Sequence, residues 1–276
     1  MNILAVVINY NNASLTRSAV GCLCSQTLRP DILIVDNSSD VLQVMDAGEL
    51  TAVRVVRTRN RGFGAAVNVG LRIALEKNYD FVWLVNNDTE MPADTLERCL
   101  ERFQRAGTFS MVSPLLTHSD GEGEHVGSRL HGLMLRSTHV TREEELCESL
   151  SWLTAASLFI PAQVIKEVGL FDDSMFFMYW EDADYCARAR KAGVKMCIAD
   201  RCKVLHFGGV TSTLNQEKLF RWHLESFHNF GLKHRIPKLQ LYLCILFRWL
   251  KWSLAIRKPI RFSLFYRNVD NGAADC

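Results

Sequence analysis

Phe81 to Glu90 reads Phe-Val-Trp-Leu-Val-Asn-Asn-Asp-Thr-Glu, five apolar residues running straight into a cluster of side-chain oxygens. The β-branched and aromatic run predicts a strand buried on both faces. Ligands of open α/β sheets sit at the carboxyl ends of strands, so Asn86 and Asp88 would project into a crevice from a rigid base. Hard oxygen ligands on alternate residues suit Mg2+ or Mn2+ carrying a diphosphate. A plainer reading stays open, in which Asp88 or Thr89 caps a helix begun by Met91-Pro92.

A second concentration of chemistry is Gly169 to Asp184, where Glu181, Asp182 and Asp184 follow Phe176-Phe177-Met178-Tyr179-Trp180. Acidic residues in a first helical turn complement the helix dipole by about 0.3–1 kcal/mol each. The dipole does not explain the aromatic surroundings, where desolvation would raise a carboxylate toward the range useful for a general base. Asp36 ends another apolar run, Ile32-Leu33-Ile34-Val35, and either accepts the imide N–H of uracil or thymine or caps the next turn. Arg59-Asn60-Arg61-Gly62-Phe63-Gly64 enters a helix of small residues, where glycines let backbone N–H groups and flanking arginines approach a ligand. His206, before Gly208-Gly209, is either a metal or phosphate ligand or a satisfied strand-end histidine. Histidines 118, 125, 131 and 139 lack tight ligand spacing and are expected on the surface.

These groups must be positioned by alternating elements. Ile3 to Ile8, Ile32 to Val35, Val53 to Val56 and Phe81 to Val85 predict strands, and helical patterns separate them, ending with Thr95 to Phe103. That alternation argues for a mainly parallel sheet covered on both faces. Met111 to Leu116, Trp152 to Ile160, Val194 to Ala199 and Cys202 to Phe207 predict further strands, and Pro161 to Val168 a short helix. His118 to Glu148 has no sustained period and predicts loop and hairpin, where acceptor recognition often lives. No G-x-G-x-x-G follows the first strand, which argues against a dinucleotide cofactor.

A chain of 276 residues, 48% hydrophobic, can bury a full core and carry an appendage. Nine cysteines without a C-x-x-C pair, mostly in apolar runs, fit reduced thiols and a cytosolic protein, and Met1-Asn2-Ile3-Leu4 shows no secretion signal. The net charge of +2 hides an asymmetry: Gly231 to Tyr266 holds eight Lys or Arg and no Asp or Glu. Asn215 to His234 and Lys238 to Lys258 have helical spacing, the second rich in Leu, Trp and Phe. Arg248 and Lys251 leave no apolar window long enough to span a bilayer. The composition suits an interfacial helix on anionic lipid, with a core helix or a dimer contact as the alternative. Nucleic acid is disfavoured, because the basic residues are interleaved with a heavy apolar load.

Taken in order, Val7-Ile8-Asn9-Tyr10-Asn11, Val35-Asp36-Asn37-Ser38-Ser39, Asn60-Arg61-Gly62-Phe63-Gly64 with Asn68 and Gly70, Asn86-Asn87-Asp88-Thr89, Gly169-Leu170-Phe171-Asp172, Phe177 to Asp184 and His206 resemble the family 2 glycosyltransferases of GT-A fold. The resemblance covers about residues 3 to 212 and is nearest the rhamnosyltransferase-like branch, which builds bacterial surface polysaccharides. It implies a GT-A domain over 1–212, with a nucleotide-binding half to 106 and an acceptor-binding half after it, and a helical extension over 213–276. Asn9, Asp36 and Arg61 would hold the base; Asn86 and Asp88 match the D-x-D metal motif, and His206 a downstream metal or diphosphate ligand. Tyr10, Asn60, Gly62, Asn68 and Asn87 fall in the same nucleotide-sugar motifs. Asp182 matches the general base, with Glu181, Trp152, Tyr179 and Trp180 on the acceptor side. Asn at 86 departs from the motif and leaves one charged ligand; Thr154-Ala155-Ala156-Ser157 departs from the Gly-Ala pair of many relatives.

The resemblance and the side chains together lead to an inverting transferase with Mg2+ or Mn2+. It would move a sugar, rhamnose among the candidates, from a dTDP- or UDP-sugar to a glycan or polyprenyl-diphosphate-linked acceptor at the inner face of the cell membrane, with a homodimer possible. One site for leaving-group stabilisation and one for a base predict inversion. The alternatives are a sugar-phosphate nucleotidyltransferase, which would carry a Gly-rich loop where Asn9 to Asn12 stands, and a non-catalytic nucleotide-sugar sensor or scaffold.

Overall fold

The computed structural model describes residues 1–43, 45, 53–118, 123–208 and 216–256. Its centre is a mixed sheet of nine strands among the described residues: β1 (Ile3–Asn9), β2 (Asp31–Asp36), β3 (Val53–Arg57), β4 (Phe81–Asn86), β5 (Thr89–Glu90), β6 (Ser110–His118), β7 (Glu124–His125), β11 (Ser157–Pro161) and β12 (Lys195–His206). A smaller antiparallel sheet joins β8 (Gly127–His131), β9 (Arg136–Val140) and β10 (Ser151–Leu153) in the order β10-β8-β9. The large sheet runs β3-β2-β1-β4-β11-β6-β12-β5, with β7 beside β6.

Its first four strands are parallel, as strand-helix alternation requires. β11 then enters between β4 and β6, antiparallel to both, so the sheet is mixed and its two halves are continuous. Apolar residues on both faces of each strand explain the burial. In β1, Leu4 and Val6 face α2 (Phe63–Glu76), α4 (Ala162–Val168) and α5 (Glu181–Lys191). Ile3, Ala5 and Val7 face α1 (Ala13–Cys24) and α3 (Thr95–Ala106). Period-two strands that are apolar on both sides can only be satisfied by such a three-layer arrangement.

Several boundaries differ from the sequence expectation. The helix after Met91-Pro92 starts at Thr95, and Thr89-Glu90 pairs with β12 instead of capping it. Trp152 to Ile160 splits into β10 and β11 around Thr154 to Ala156. The two strands expected over 194–207 are one strand, β12, whose register against β6 shifts between Ala199 and Lys203. The exposed Asp200 and Arg201 in that bulge look like a loop in sequence.

The C-terminal α6 (Gln216–Lys233) and α7 (Lys238–Ile256) pack on the body. Leu224, Phe227, Phe230, Leu241, Cys244 and Ile245 share a core with Phe176, Trp180 and Ala183 and with Leu130 and Leu135 of the β8–β9 hairpin. Among the described residues no helix is long and apolar enough to cross a membrane.

Candidate active site

Three expected residues stand on neighbouring strand ends: Asn9 is paired with Asp36, and Ile8 with Asn86. Asn9 is fully buried and its amide is closed on the protein. Its Nδ2 lies 3.1 Å from both Asp36 Oδ2 and Ser38 Oγ and 2.8 Å from the Gln43 carbonyl, while Oδ1 accepts from the Thr16 hydroxyl at 2.7 Å. Asn9 thus sets the position of Asp36. Asp36 is itself buried and accepts from the backbone N–H of Ser38 at 2.9 Å and of Met45 at 2.6 Å. Tyr10 is half-buried beside it and Arg61 is exposed at the entrance of α2. Asn60 Oδ1 accepts from Gly62 N at 3.0 Å and lies 3.5 Å from Asn37 Nδ2.

Two residues of the α2 entrance do something other than meet a ligand. Gly62 has φ +97°, and a Cβ there would sit 2.1 Å from the Phe177 carbonyl oxygen, to which Phe63 N–H donates at 3.1 Å. The close approach is therefore to the protein's own 177–182 segment. Asn68 does not line a crevice: it is buried, and its amide spans the backbone of Phe171, donating to O at 2.9 Å and accepting from N at 2.8 Å.

At the end of β4, Asp88 and Asn86 converge on His206. Asp88 Oδ1 is 3.2 Å from His206 Nε2, and Asn86 Nδ2 is 3.4 Å from the same nitrogen. Pairing of β5 with β12 brings them together, through His206 opposite Thr89 and Phe207 N–H on the Asp88 carbonyl at 2.9 Å. A carboxylate and an imidazole nitrogen facing one point repel unless a proton or cation lies there. Among the described residues no three His, Cys, Asp or Glu side chains form a metal-ligand group. One carboxylate, one imidazole and one amide fit a divalent ion that takes its remaining oxygens from a diphosphate, as Mg2+ commonly does. Asn87, on the same turn, donates to the Thr16 hydroxyl at 3.1 Å.

Glu181 and Asp182 open α5 after two non-glycine residues with positive φ, Tyr179 at 69° and Trp180 at 68°. Such backbone costs of order 1–3 kcal/mol per residue and persists where packing enforces it. Here the packing is aromatic. Trp180 lies 5.4 Å from Trp152, 4.9 Å from Phe227 and 5.5 Å from His223, and Tyr179 lies 5.5 Å from His223 (ring centroids). Burial, joined by the neighbouring carboxylate Asp182, pushes the Glu181 carboxyl up; burial also pushes Asp182 up, against hydrogen bonds from Ala183 N–H, Ala155 N–H and the Thr154 hydroxyl. Glu181 Oε2 is buried without a partner among the described residues. Ala183, Ala155 and Thr154 favour charge on Asp182, whereas Glu181 has only its own backbone N–H to do so and lies deeper, so the proton stays on Glu181 while Asp182 ionises.

The 154–156 segment links the two regions. Thr154 and Ala155 hold Asp182, and the Ala156 carbonyl accepts from Asn86 N–H at 2.8 Å. Asp182 and the Asn86–Asp88–His206 group are thus joined by adjacent residues of one strand end. Neither Thr154 nor His223 stands out by residue type; the departure of 154–157 from the family pattern points to the first, and nothing in the sequence points to the second. Histidines 131 and 139 are exposed as expected, but His125 is buried, stacked on His118 at 4.7 Å and tilted against His139 at 4.6 Å (ring centroids). A recess of about 210 Å3 lined by Asp31, Arg54, Lys77 and Tyr79 opens at the amino ends of β1 and β2, the wrong edge for a nucleotide.

A family model, Glycosyl transferase family 2, matches residues 4–186. The chain belongs to that family. It is a glycosyltransferase, and its relatives include rhamnosyltransferases. It is 25% identical over 229 residues to the N-acetylglucosaminyl-diphospho-decaprenol L-rhamnosyltransferase of Mycobacterium tuberculosis, covering 73% of this chain and 74% of that one. It is 23% identical over 190 residues to the low-salt glycan biosynthesis hexosyltransferase Agl10 of Haloferax volcanii, covering 63% of this chain and only 57% of the relative. The fold is similar to that of part of GalNAc-T7, solved with UDP, GalNAc and Mn2+, at a TM-score of 0.62 and 15% identity over 83% of this chain and 47% of that one.

Proposed function

We propose that this glycosyltransferase inverts the anomeric centre of a dTDP- or UDP-sugar, rhamnose being the leading candidate, while transferring it to a hydroxyl of a lipid-linked glycan. The observation that carries the reading is Asp182, next to Glu181 and held by Thr154 and Ala155, one residue from the Ala156 carbonyl that binds Asn86. Asp182 takes the proton of the acceptor hydroxyl as that oxygen attacks; the glycosidic bond forms as the bond to the nucleoside diphosphate breaks. A base on one side and the diphosphate-binding group on the other are the requirements of a single displacement.

Asn86, Asp88 and His206 would hold Mg2+ or Mn2+ together with the diphosphate; when bound, the ion offsets charge on the leaving group. Asp36 would receive the imide N–H of the base, with Tyr10, Asn60 and Arg61 around it; because Asp36 is buried, the base would have to share it with the Ser38 and Met45 N–H groups that now donate to it. The names of the relatives support the sugar and acceptor: one is an L-rhamnosyltransferase acting on a diphospho-decaprenol-linked sugar. Donor turnover by Asp182→Asn tests the reading. Loss of at least about 100-fold in kcat with an unchanged melting temperature is expected from removal of a general base; transfer at the wild-type rate by a folded variant overturns it.

A further inference from the structure

We propose that the outward face of α7 is a contact surface for an anionic lipid bilayer. The sequence shows Arg248 interrupting the apolar run of this helix, but the structure turns Arg248 inward. Its guanidinium lies 4.4 Å from the Phe227 ring centre and donates to the Leu135 carbonyl at 2.6 Å. Leu241, Cys244 and Ile245 are buried on the same side. What remains outside is apolar: Leu239, Tyr242, Leu243, Leu246, Phe247, Leu250 and Leu254 are all 40% exposed or more. At 100° per residue these positions cover roughly 140° of the helix circumference, with Lys238 beyond one rim and Lys251 beyond the other.

The charges decide the occupant. Lys238, Lys251 and Arg235 are exposed, and no acidic residue occurs from Gly231 to Tyr266. Two copies meeting face to face on this arc would oppose lysines with no carboxylate from that stretch to pair them. The sequence that follows brings Arg257, Lys258, Arg261 and Arg267 before its first acidic residue, Asp270, and so adds positive charge next to this helix in the chain. Anionic headgroups satisfy both rims while the leucines and Phe247 enter the acyl boundary, the arrangement of a helix lying in the interface. The surface is also tied to the chemistry. α7 rests on α6, whose Ser226 donates to the Met178 carbonyl and Asn229 to the Met175 carbonyl, both at 2.8 Å. A lipid-linked acceptor would thus be met by a surface braced against the segment that leads into Asp182.

Sedimentation of the full chain with vesicles, needing no donor turnover, tests this independently of the transferase reading. Binding to phosphatidylcholine vesicles containing phosphatidylglycerol is expected, weakening with added salt, with little on phosphatidylcholine alone. The double variant Leu246→Glu/Leu250→Glu should abolish it. Lys238→Gln/Lys251→Gln, which leaves the apolar arc intact and decides the matter if the glutamate variant fails to fold, should weaken it at least about tenfold. Equal binding to both vesicle types, wild-type chain remaining in the supernatant, or a dimer in sedimentation velocity that the lysine or glutamate variants dissociate without altering vesicle binding would each overturn the proposal.

Discussion

Glu181 and Asp182 are adjacent carboxyls, the first buried and the second half-buried, and they differ further in the hydrogen-bond donors each can reach. Because both are pushed up by burial, the acid limb of kcat/KM should lie above the ordinary aspartate value of about 3.9. Glu181→Gln puts a neutral amide in place of a carboxyl that is itself neutral while Asp182 ionises, so that limb should stay in place and substantial transfer remain, as a pH profile of donor turnover would show; a limb displaced to lower pH would mean that Glu181 is charged when Asp182 titrates. The same substitution bears on stability. A carboxyl whose folded value is raised keeps a proton that the unfolded chain has lost above about pH 4.3, so stability falls as pH rises through that range. Glu181→Gln should flatten this slope and melt higher than wild type at pH 8; an unchanged pH slope would show that Glu181 is ionised in the fold. Other residue roles were not readable from type. Asn9 and Asn68 look like ligand-binding amides in sequence, yet each is spent on a neighbouring strand tip or loop, because a buried amide must satisfy both its ends.

At the scale of elements, the strands were legible wherever apolar residues ran to a polar tip, and the tips of β1, β2 and β4 do share one sheet edge. The antiparallel insertion of β11 and the bulge in β12 were not, since pairing partners distant in sequence leave no local periodicity. Gly62 shows the same limit, its small size being demanded by Phe177, more than a hundred residues away. Gly62→Ala should cost about 1–3 kcal/mol in backbone strain alone, plus whatever displacement the Phe177 carbonyl requires, and should reduce transfer by shifting the segment that leads to Asp182. Gly21→Ala is the control: in the last turn of α1 with nothing within 4 Å of the new Cβ, it should stabilise by up to about 1 kcal/mol. Thermal melts of both, with donor turnover, check the pair; a Gly62→Ala protein as stable and active as wild type would remove the strain argument.

For the whole molecule, the question is whether α6 and α7 are an appendage, as the fall-off in family resemblance after residue 212 suggests, or part of the body. The contacts favour the second. Burial alone would raise the Asp184 carboxyl, but His234, Lys233 and Arg188 outweigh it and hold the group down at about 2. Asp184 is fully buried, with His234 Nε2 and Lys233 Nζ each 2.9 Å from Oδ1. A chain ending at residue 215 leaves that carboxylate with Arg188 alone and uncovers Trp180 and Phe176. Leaving a buried charge without its partners costs roughly 3–5 kcal/mol, and losing Phe227 or Phe230 from a core about as much again, against a typical total stability of 5–15 kcal/mol. The truncated chain should therefore be insoluble or unfolded at 37 °C and inactive toward even a water-soluble acceptor, whereas the full chain carrying Leu246→Glu/Leu250→Glu, altered only on the outer face, should keep that soluble activity. A truncated chain that melts cooperatively near the wild-type temperature and turns over donor would mean that the 1–215 segment holds Asp182 without help from the helices behind it.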